Sequence, residues 1–304
     1  MTDSERKNSY ISAFDSAISP IGDLIPALSQ VLDEIKEKAE EIRIRSGYPI
    51  IIRTGMQNHI MQITPDSEML AECISAICQN SLHTYEKDIA NGFITLYGGH
   101  RVGLCGTAVY GNGELQTVKN FSSINIRIAR QHYGAARDLM PLFESECRSR
   151  GLLIVGRAMS GKTTILRDLC RCIGAMFRVS LIDERQEIAA VYNGKSCLDV
   201  GLMTDVFSGY GKSDGIISAM QGMSPDYIAL DDIENDTDAV KLLCGCPTGV
   251  IATASAYGID DYNDNVRTLI ESGTISDIAF VDKHSVVSIQ NVRKAENDIF
   301  PDHF

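Results

Sequence analysis

Long apolar runs are missing from this 304-residue chain. None approaches the roughly 18 residues that span a bilayer, so no membrane span of its own is predicted. The opening residues, MTDSERKNSY, lack the apolar stretch of a secretory signal, which predicts a cytoplasmic location. The nine cysteines include no CxxC pair. Their closest spacings, Cys170/Cys172 and Cys244/Cys246, leave one intervening residue, poor geometry for zinc or a disulfide, and predict reduced, mostly buried thiols. The six histidines are scattered without HxxxH or HExxH, which argues against a dedicated metal site. Tryptophan is absent and excludes nothing. Positive charge is in short supply: 28 Lys and Arg against 40 Asp and Glu give −12. Such a field repels nucleic-acid backbones and anionic lipid surfaces, so no nucleic-acid partner is expected.

With 44% hydrophobic and 22% charged residues, the composition is that of a soluble globular protein, and the length suits two ordinary domains. Residues 1 to about 38 read as helical. Ile21, Leu24, Ile25, Leu28, Val31, Leu32 and Ile35 recur at three-to-four spacing, with Pro20 and Pro26 interrupting the pattern. Glu41 to Arg45 alternates like a half-buried strand, and Tyr48 to Arg53 reads as a second one. Ser67 to Cys78 returns to helix, with Asp66 or Ser67 as N-cap. Short β-like runs follow at Phe93–Leu96, Arg101–Tyr110, Leu115–Val118 and Ile124–Ile128, and Gly111-Asn112-Gly113 signals a hairpin turn. The first part therefore predicts a smaller α+β domain with its own sheet. Arg43, Arg45 and Arg53 read as the polar face of that sheet.

The character changes at Gly151. Leu152–Val155, Val179–Ile182, Tyr227–Leu230 and Val250–Ala252 are continuous apolar runs separated by helical patterns, the form of a doubly wound, mostly parallel sheet. The boundary is expected between Tyr133 and Arg150, giving an amino-terminal domain over 1–140 and a second domain over 141–304, with Ala295 to Phe304 frayed.

Gly156-Arg157-Ala158-Met159-Ser160-Gly161-Lys162-Thr163-Thr164 fits GxxxxGK[ST], after an apolar strand and before an amphipathic helix. Glycines let successive backbone N–H groups point at phosphate oxygens, and the helix adds its N-terminal partial charge. Lys162 would reach the β- and γ-phosphates of ATP, and Thr163 would offer a hydroxyl to Mg²⁺. A second acid is needed at another strand's carboxyl end, and Asp231, with Asp232 beside it, follows Tyr227–Leu230. Asp183 and Glu184 follow Val179–Ile182 and should reach the same edge. There they would either orient water or metal or form salt bridges with Arg185. The fold expected is a RecA-like P-loop NTPase domain behind the α+β domain.

Further stretches carry a family resemblance. Glu41-Ile42-Arg43-Ile44-Arg45, Gly98-Gly99-His100-Arg101-Val102-Gly103-Leu104, Ser122 to Arg130, Ser160 to Thr164, Asp183-Glu184-Arg185, Asp199-Val200-Gly201 and Met223-Ser224-Pro225-Asp226 resemble the stage III sporulation protein AA family. These are P-loop ATPases of endospore-forming bacteria, similar to type II and type IV secretion ATPases. The resemblance implies an ATPase in the mother-cell cytoplasm beside a membrane-embedded channel complex. It also implies a homo-oligomeric ring, hexameric by expectation, in which each amino-terminal domain lies against a neighbour's nucleotide. Arg101, Arg127 and Arg130 are then either trans arginines at the γ-phosphate or local ion-pair partners on a solvated sheet face.

The chain also departs from the family pattern. Arg157 and Ala158 stand where prolines are usual, Asp232 where Glu is, Met203 and Gln221 where arginines are, and Ser255 where His is. Asp is shorter than Glu by one C–C bond, about 1.5 Å, and a misplacement near 1 Å can cost on the order of 10²-fold. Hydrolysis is therefore expected to be slow unless Glu184 is the base, while nucleotide affinity suffers less. A nucleotide-gated scaffold without turnover is the alternative.

Overall fold

The computed structural model describes residues 3–90, 92–111, 113–144, 151–256 and 261–292. The chain separates into two compact units, Met1–Gln131 with Tyr192–Cys197, and His132–Val191 with Leu198–Phe304. The expected junction at 140/141 falls inside the second.

In the first unit, helices α1 (Asp3–Ile18), α2 (Pro26–Ser29) and α3 (Asp33–Lys38) form the predicted helical opening. Pro26 occupies the first turn of α2, where a missing N–H costs nothing. Strands β1 (Glu41–Arg45), β2 (Ile51–Thr54) and β3 (Gln57–Ile60) come next, then α4 (Ser67–Ile77), α5 (Glu86–Ala90), β4 (Ile94–Thr95), β5 (Arg101–Gly111) and β6 (Glu114–Arg127). Asp66 caps α4 by accepting from the Met69 N–H at 2.8 Å. The sheet order is β3-β2-β1-β6-β5-β4, and every adjacent pair is antiparallel.

Two sequence expectations change here. β2 begins at Ile51 rather than Tyr48, because Gly47 turns with φ +77°, Pro49 has no N–H for the ladder, and Tyr48 stacks under Arg45. The runs at Leu115–Val118 and Ile124–Ile128 merge into the single 14-residue β6, which ends at Arg127. A register shift opposite Cys105–Thr107, with Asn120 at φ +47°, breaks the alternation between them without ending the strand.

The second unit contains α6 (Pro141–Glu144), β7 (Gly151–Gly156), α7 (Lys162–Ile173) and β8 (Val179–Asp183); the short pair β9 (Val191–Tyr192) and β10 (Lys195–Ser196) comes next in the chain, with Tyr192–Cys197 counted in the first unit, and β11 (Thr204–Ser208) and α8 (Lys212–Gly222) return to the second. β12 (Tyr227–Leu230), α9 (Thr237–Cys244), β13 (Gly249–Ser255), α10 (Asp264–Glu271), β14 (Asp277–Asp282) and β15 (Ser285–Asn291) complete it. The sheet order is β11-β8-β12-β13-β7-β14-β15, with only β15 antiparallel. Alternate residues of each strand enter two separate cores. Leu153 and Val155 pack with residues of α8, α9 and α10, while Leu152 and Ile154 pack with α7 and α6. Both faces are covered, which is why the strands read as unbroken apolar runs.

Among the described residues no helix is long and apolar enough to cross a membrane. Eight cysteines there are free, but only Cys73, Cys78 and Cys170 are buried; the rest lie on helix surfaces, strand edges and loops. The expected fraying of Ala295–Phe304 lies outside the described residues.

Candidate nucleotide-binding site

The GxxxxGK[ST] segment is the loop joining β7 to α7. Its packing explains the glycines. A Cβ on Gly156 would stand 2.5 Å from the Val281 carbonyl oxygen and 2.6 Å from Ser160 Oγ. Gly161 turns with φ +101°, and a Cβ there would meet His284 Nδ1 at 2.5 Å. Gly161 is the N-cap of α7 and brings no side-chain acceptor. The first-turn N–H groups of α7 thus keep their donors at the end where the helix carries its partial positive charge. The Ser160 hydroxyl is buried at the same turn with no hydrogen-bond partner. Unpaired donors in a tight concave turn fit an anion, and a phosphate chain supplies the acceptors they lack.

Lys162 is buried, and its ammonium donates to the carbonyl oxygens of Gly156 and Arg157 and to Ser255 Oγ, each at 3.1 Å. Next to it, Thr163 Oγ1 donates to Asp231 Oδ2 at 2.6 Å. Thr253 Oγ1 donates to the other oxygen of Asp231 and accepts from the Asp232 N–H at 2.9 Å. These contacts follow from the sheet order: β12, β13 and β7 are neighbours, and Ser255 pairs in register with Gly156. Among the described residues no group of three or more His, Cys, Asp or Glu side chains is arranged to hold a metal. A hydroxyl beside one carboxylate is instead the partial set that Mg²⁺ uses when phosphates and water complete its shell, so the residues fit that ion.

The remaining acids at this edge are engaged. Asp232, at φ +50°, pairs with Arg185 at 2.9 Å. Burial raises its pKa, as do Asp231 and Glu234, while Arg185 and Lys162 pull it back. Glu184 Oε2 lies 2.5 Å from Lys212 Nζ. Asp183 is buried and accepts the N–H groups of Glu187, Ile188 and Ala189. Burial raises its pKa against these bonds and Arg167. Arg167 holds the same loop from α7 through the carbonyls of Ile188 and Glu187, at 2.6 and 2.7 Å. Asp183 thus builds the loop, and Glu184 and Asp232 present their carboxylates beside Asp231 with cations attached.

In the first unit, Arg101 and Arg127 stand opposite each other on β5 and β6, with Glu41 opposite Arg127 on its other side. Arg101 lies over the Phe93 ring, and Arg127 is exposed. Arg130 is held inside the unit. Its guanidinium donates to the carbonyls of Lys36 and Ala39 and sits over the Tyr10 ring.

Of the four departures beyond the loop, Asp232 and Ser255 stand at the phosphate edge. Met203 and Gln221 do not. Met203 exchanges backbone bonds with Gly174 and Val179, and Gln221 ends α8 just before the start of β12, both near the amino ends of the strands. Sequence reasoning counted Ser255 as a loss, yet it receives the Lys162 ammonium, and it passed over Thr253 and Glu234. The signal was present: the carboxyl ends of neighbouring parallel strands share an edge, so the residues ending Val250–Ala252 belong beside the loop.

The family model described as "Sporulation stage III, protein AA" matches residues 24–291. The chain is 33% identical over 254 residues to "Stage III sporulation protein AA" of Bacillus subtilis (strain 168), covering 79% of this chain and 82% of that protein. Among solved structures, the Legionella pneumophila ATPase DotB is similar with a TM-score of 0.55 and 16% identity, over 90% of this chain and 82% of that one. The pilus retraction motor PilT with bound ADP gives a TM-score of 0.54 and 16% identity, over 82% and 77%. At that identity the likeness is one of fold: a mostly parallel P-loop sheet preceded by a smaller antiparallel-sheet domain.

Proposed function

The chain belongs to the sporulation stage III protein AA family, and on that premise we propose that it binds ATP with Mg²⁺ in the Gly156–Thr164 loop and hydrolyses it. The observation that carries this reading is the 2.6 Å bond between Thr163 and Asp231, residues 68 positions apart brought together at one sheet edge. The loop amides and Lys162 bind the phosphates, with Lys162 exchanging its three protein oxygens for phosphate oxygens. Thr163 and, through water, Asp231 would hold Mg²⁺, whose charge offsets that building on the phosphate oxygens. Ser255 orients the lysine from β13.

The protein works as a homo-oligomeric ring, hexameric in this reading, in the mother-cell cytoplasm. It energises or assembles a channel complex through membrane-embedded sporulation proteins, and nucleic acid is not a partner. Arg127, exposed on the first unit's sheet with Arg101 beside it, is the arginine best suited to a neighbour's γ-phosphate, because Arg130 is committed to Lys36 and Ala39. Purified protein should release phosphate in a Mg²⁺-dependent way, and Lys162→Ala should reduce release by on the order of 10²-fold or more. No release above that variant, with partner proteins present, rejects hydrolysis.

One observation favours a second reading. Glu184 and Asp232 are both paired to cations, so a nucleotide-gated scaffold would also fit them. It predicts ATP-dependent oligomerisation by light scattering with negligible turnover.

A further inference from the structure

A carboxylate that acts as general base must be able to take a proton from water, and Glu184 and Asp232 each hold a cation. A third carboxylate reaches the same edge. Glu234 lies in the single turn Ile233–Asn235 that follows Asp232. That turn is pinned from outside, since the Glu234 carbonyl accepts from Asn263 Nδ2 at 2.6 Å and from Asn265 Nδ2 at 2.9 Å. Glu234 Oε1 accepts the Ser255 N–H at 3.1 Å, and the Ser255 hydroxyl is the group that receives Lys162 Nζ. One residue therefore links the Glu234 carboxylate to the lysine of the phosphate loop. The second oxygen, Oε2, is enclosed and has no hydrogen-bond partner. Glu234 is also close enough to Asp232 for its charge to push that carboxyl up.

We infer that Glu234 is the general base of this site. Its carboxylate, through the Oε1 side that is open to solvent, takes a proton from a water whose oxygen bonds to the γ-phosphorus. The bond from that phosphorus to the bridging oxygen breaks, and the bridging oxygen leaves on ADP with the electron pair. Ser255 is the positioning residue, holding Glu234 through its amide and Lys162 through its hydroxyl. The longer side chain at residue 234 supplies the reach that Asp232 lacks by about 1.5 Å, while Arg185 pairs with Asp232. The inference rests on the reading that the site hydrolyses ATP.

Glu234→Gln keeps the acceptor for Ser255 and the pinned backbone, and removes only the ability to take a proton. The experiment compares the full chain with Glu234→Gln, Asp232→Asn, Glu184→Gln and Lys162→Ala. It reads affinity for a fluorescent ATP analogue with Mg²⁺, phosphate release from pH 5.5 to 9, and the nucleotide recovered from the complex by chromatography. Glu234→Gln is expected to bind within about threefold of wild type and to lose on the order of 10²-fold in kcat. Its acid limb in the pH profile should disappear, and its complex should yield ATP where wild type yields ADP. Asp232→Asn and Glu184→Gln should lose less than tenfold. Turnover of Glu234→Gln within threefold of wild type overturns the assignment, and so does a parallel collapse of affinity and kcat, which marks a purely structural residue. Wild type that binds ATP yet releases no more phosphate than Lys162→Ala overturns hydrolysis and the base together, a result distinct from either of the others.

Discussion

In the first unit's sheet β1 buries one face, whereas the central strands of the second unit's sheet bury both. On β1, Ile42 and Ile44 are buried while Arg43 and Arg45 face out, so charge is spread along the strands. Arg53, Glu41, Arg127 and Arg101 form one row of register partners across four of them. On β7, β8 and β12 every residue is buried. On these strands charge stands only at the carboxyl ends, where Asp183 and Asp231 share an edge with Gly156 and Ser255. A charge on the first sheet meets water, and a charge at the second sheet's edge must be met by protein. The same residue type should then carry different energetic weight in the two units.

The largest test is Asp183→Ala. It would leave the amides of Glu187, Ile188 and Ala189 without their acceptor and remove one of the acids that offset the buried charge of Arg167. Breaking such a buried set costs about 3–5 kcal/mol, which at this size lowers Tm by on the order of 10 °C. The counterpart in the first unit is Glu41, with Arg43 at 3.7 Å and Arg53 at 4.0 Å. Glu41→Ala should cost about 1 kcal/mol or less. Thermal melts followed by circular dichroism measure both. Equal losses would break the contrast.

The same confinement decides what was legible in the sequence. Gly156–Thr164 and Asp231 could be read because a phosphate loop is local and its acid ends an apolar strand. Most strands with period two or unbroken apolar character were visible, but β14 was passed over although Ile278–Val281 is apolar, and β11 and β15 were not visible, because Thr204–Ser208 and Ser285–Asn291 mix polar and apolar residues. β3, with Gln57, Asn58 and His59, is an edge strand of the same kind. Which carboxylate was already engaged was illegible, since the partners come from elsewhere in the chain: Lys212 for Glu184, Arg185 for Asp232, and the Ser255 amide for Glu234. Nothing in the spacing of Arg101, Arg127 and Arg130 separates the exposed Arg127 from the enclosed Arg130.

That pair of arginines sharpens the comparison within one unit. Arg130→Ala leaves the carbonyls of Lys36 and Ala39 without a charged donor and removes the cation from the Tyr10 ring. The expected loss is about 2–3 kcal/mol. Arg127→Ala, on the solvated face, should stay within about 0.5 kcal/mol. Urea unfolding of the two variants is the measurement, and reversal of the order would show that the exposed row carries stability. A drop in turnover for Arg127→Ala at unchanged stability would assign it to the nucleotide of a neighbouring subunit.

Protonation gives the smallest and most direct contrast, because His100 of the first unit shifts down while Asp183 and Asp232 of the second shift up. His100 is 1% exposed, with Nδ1 accepting the Ala129 N–H at 3.0 Å and Nε2 enclosed without a partner. Burial lowers its pKa from 6.5 to about 4. Between those values the unfolded chain takes up a proton that the folded one refuses. The stability His100 contributes is therefore complete above pH 6.5 and is lost as the pH falls, by up to about 2 kcal/mol between pH 7 and 5. Asp88, raised by partial burial, opposes it within the same unit. In the second unit Asp183 and Asp232 are raised, chiefly by burial. Their folded forms hold protons more tightly, so their contribution favours acid and is lost as pH rises through the folded pKa. Acidification should thus weaken the first unit more than the second. Pulse proteolysis in urea at pH 7 and pH 5, with cleavage sites assigned to each unit by mass spectrometry, reads the two separately. His100→Gln should flatten the response of the first unit alone, and equal acid sensitivity in both units would mean that burial treats their titratable groups alike.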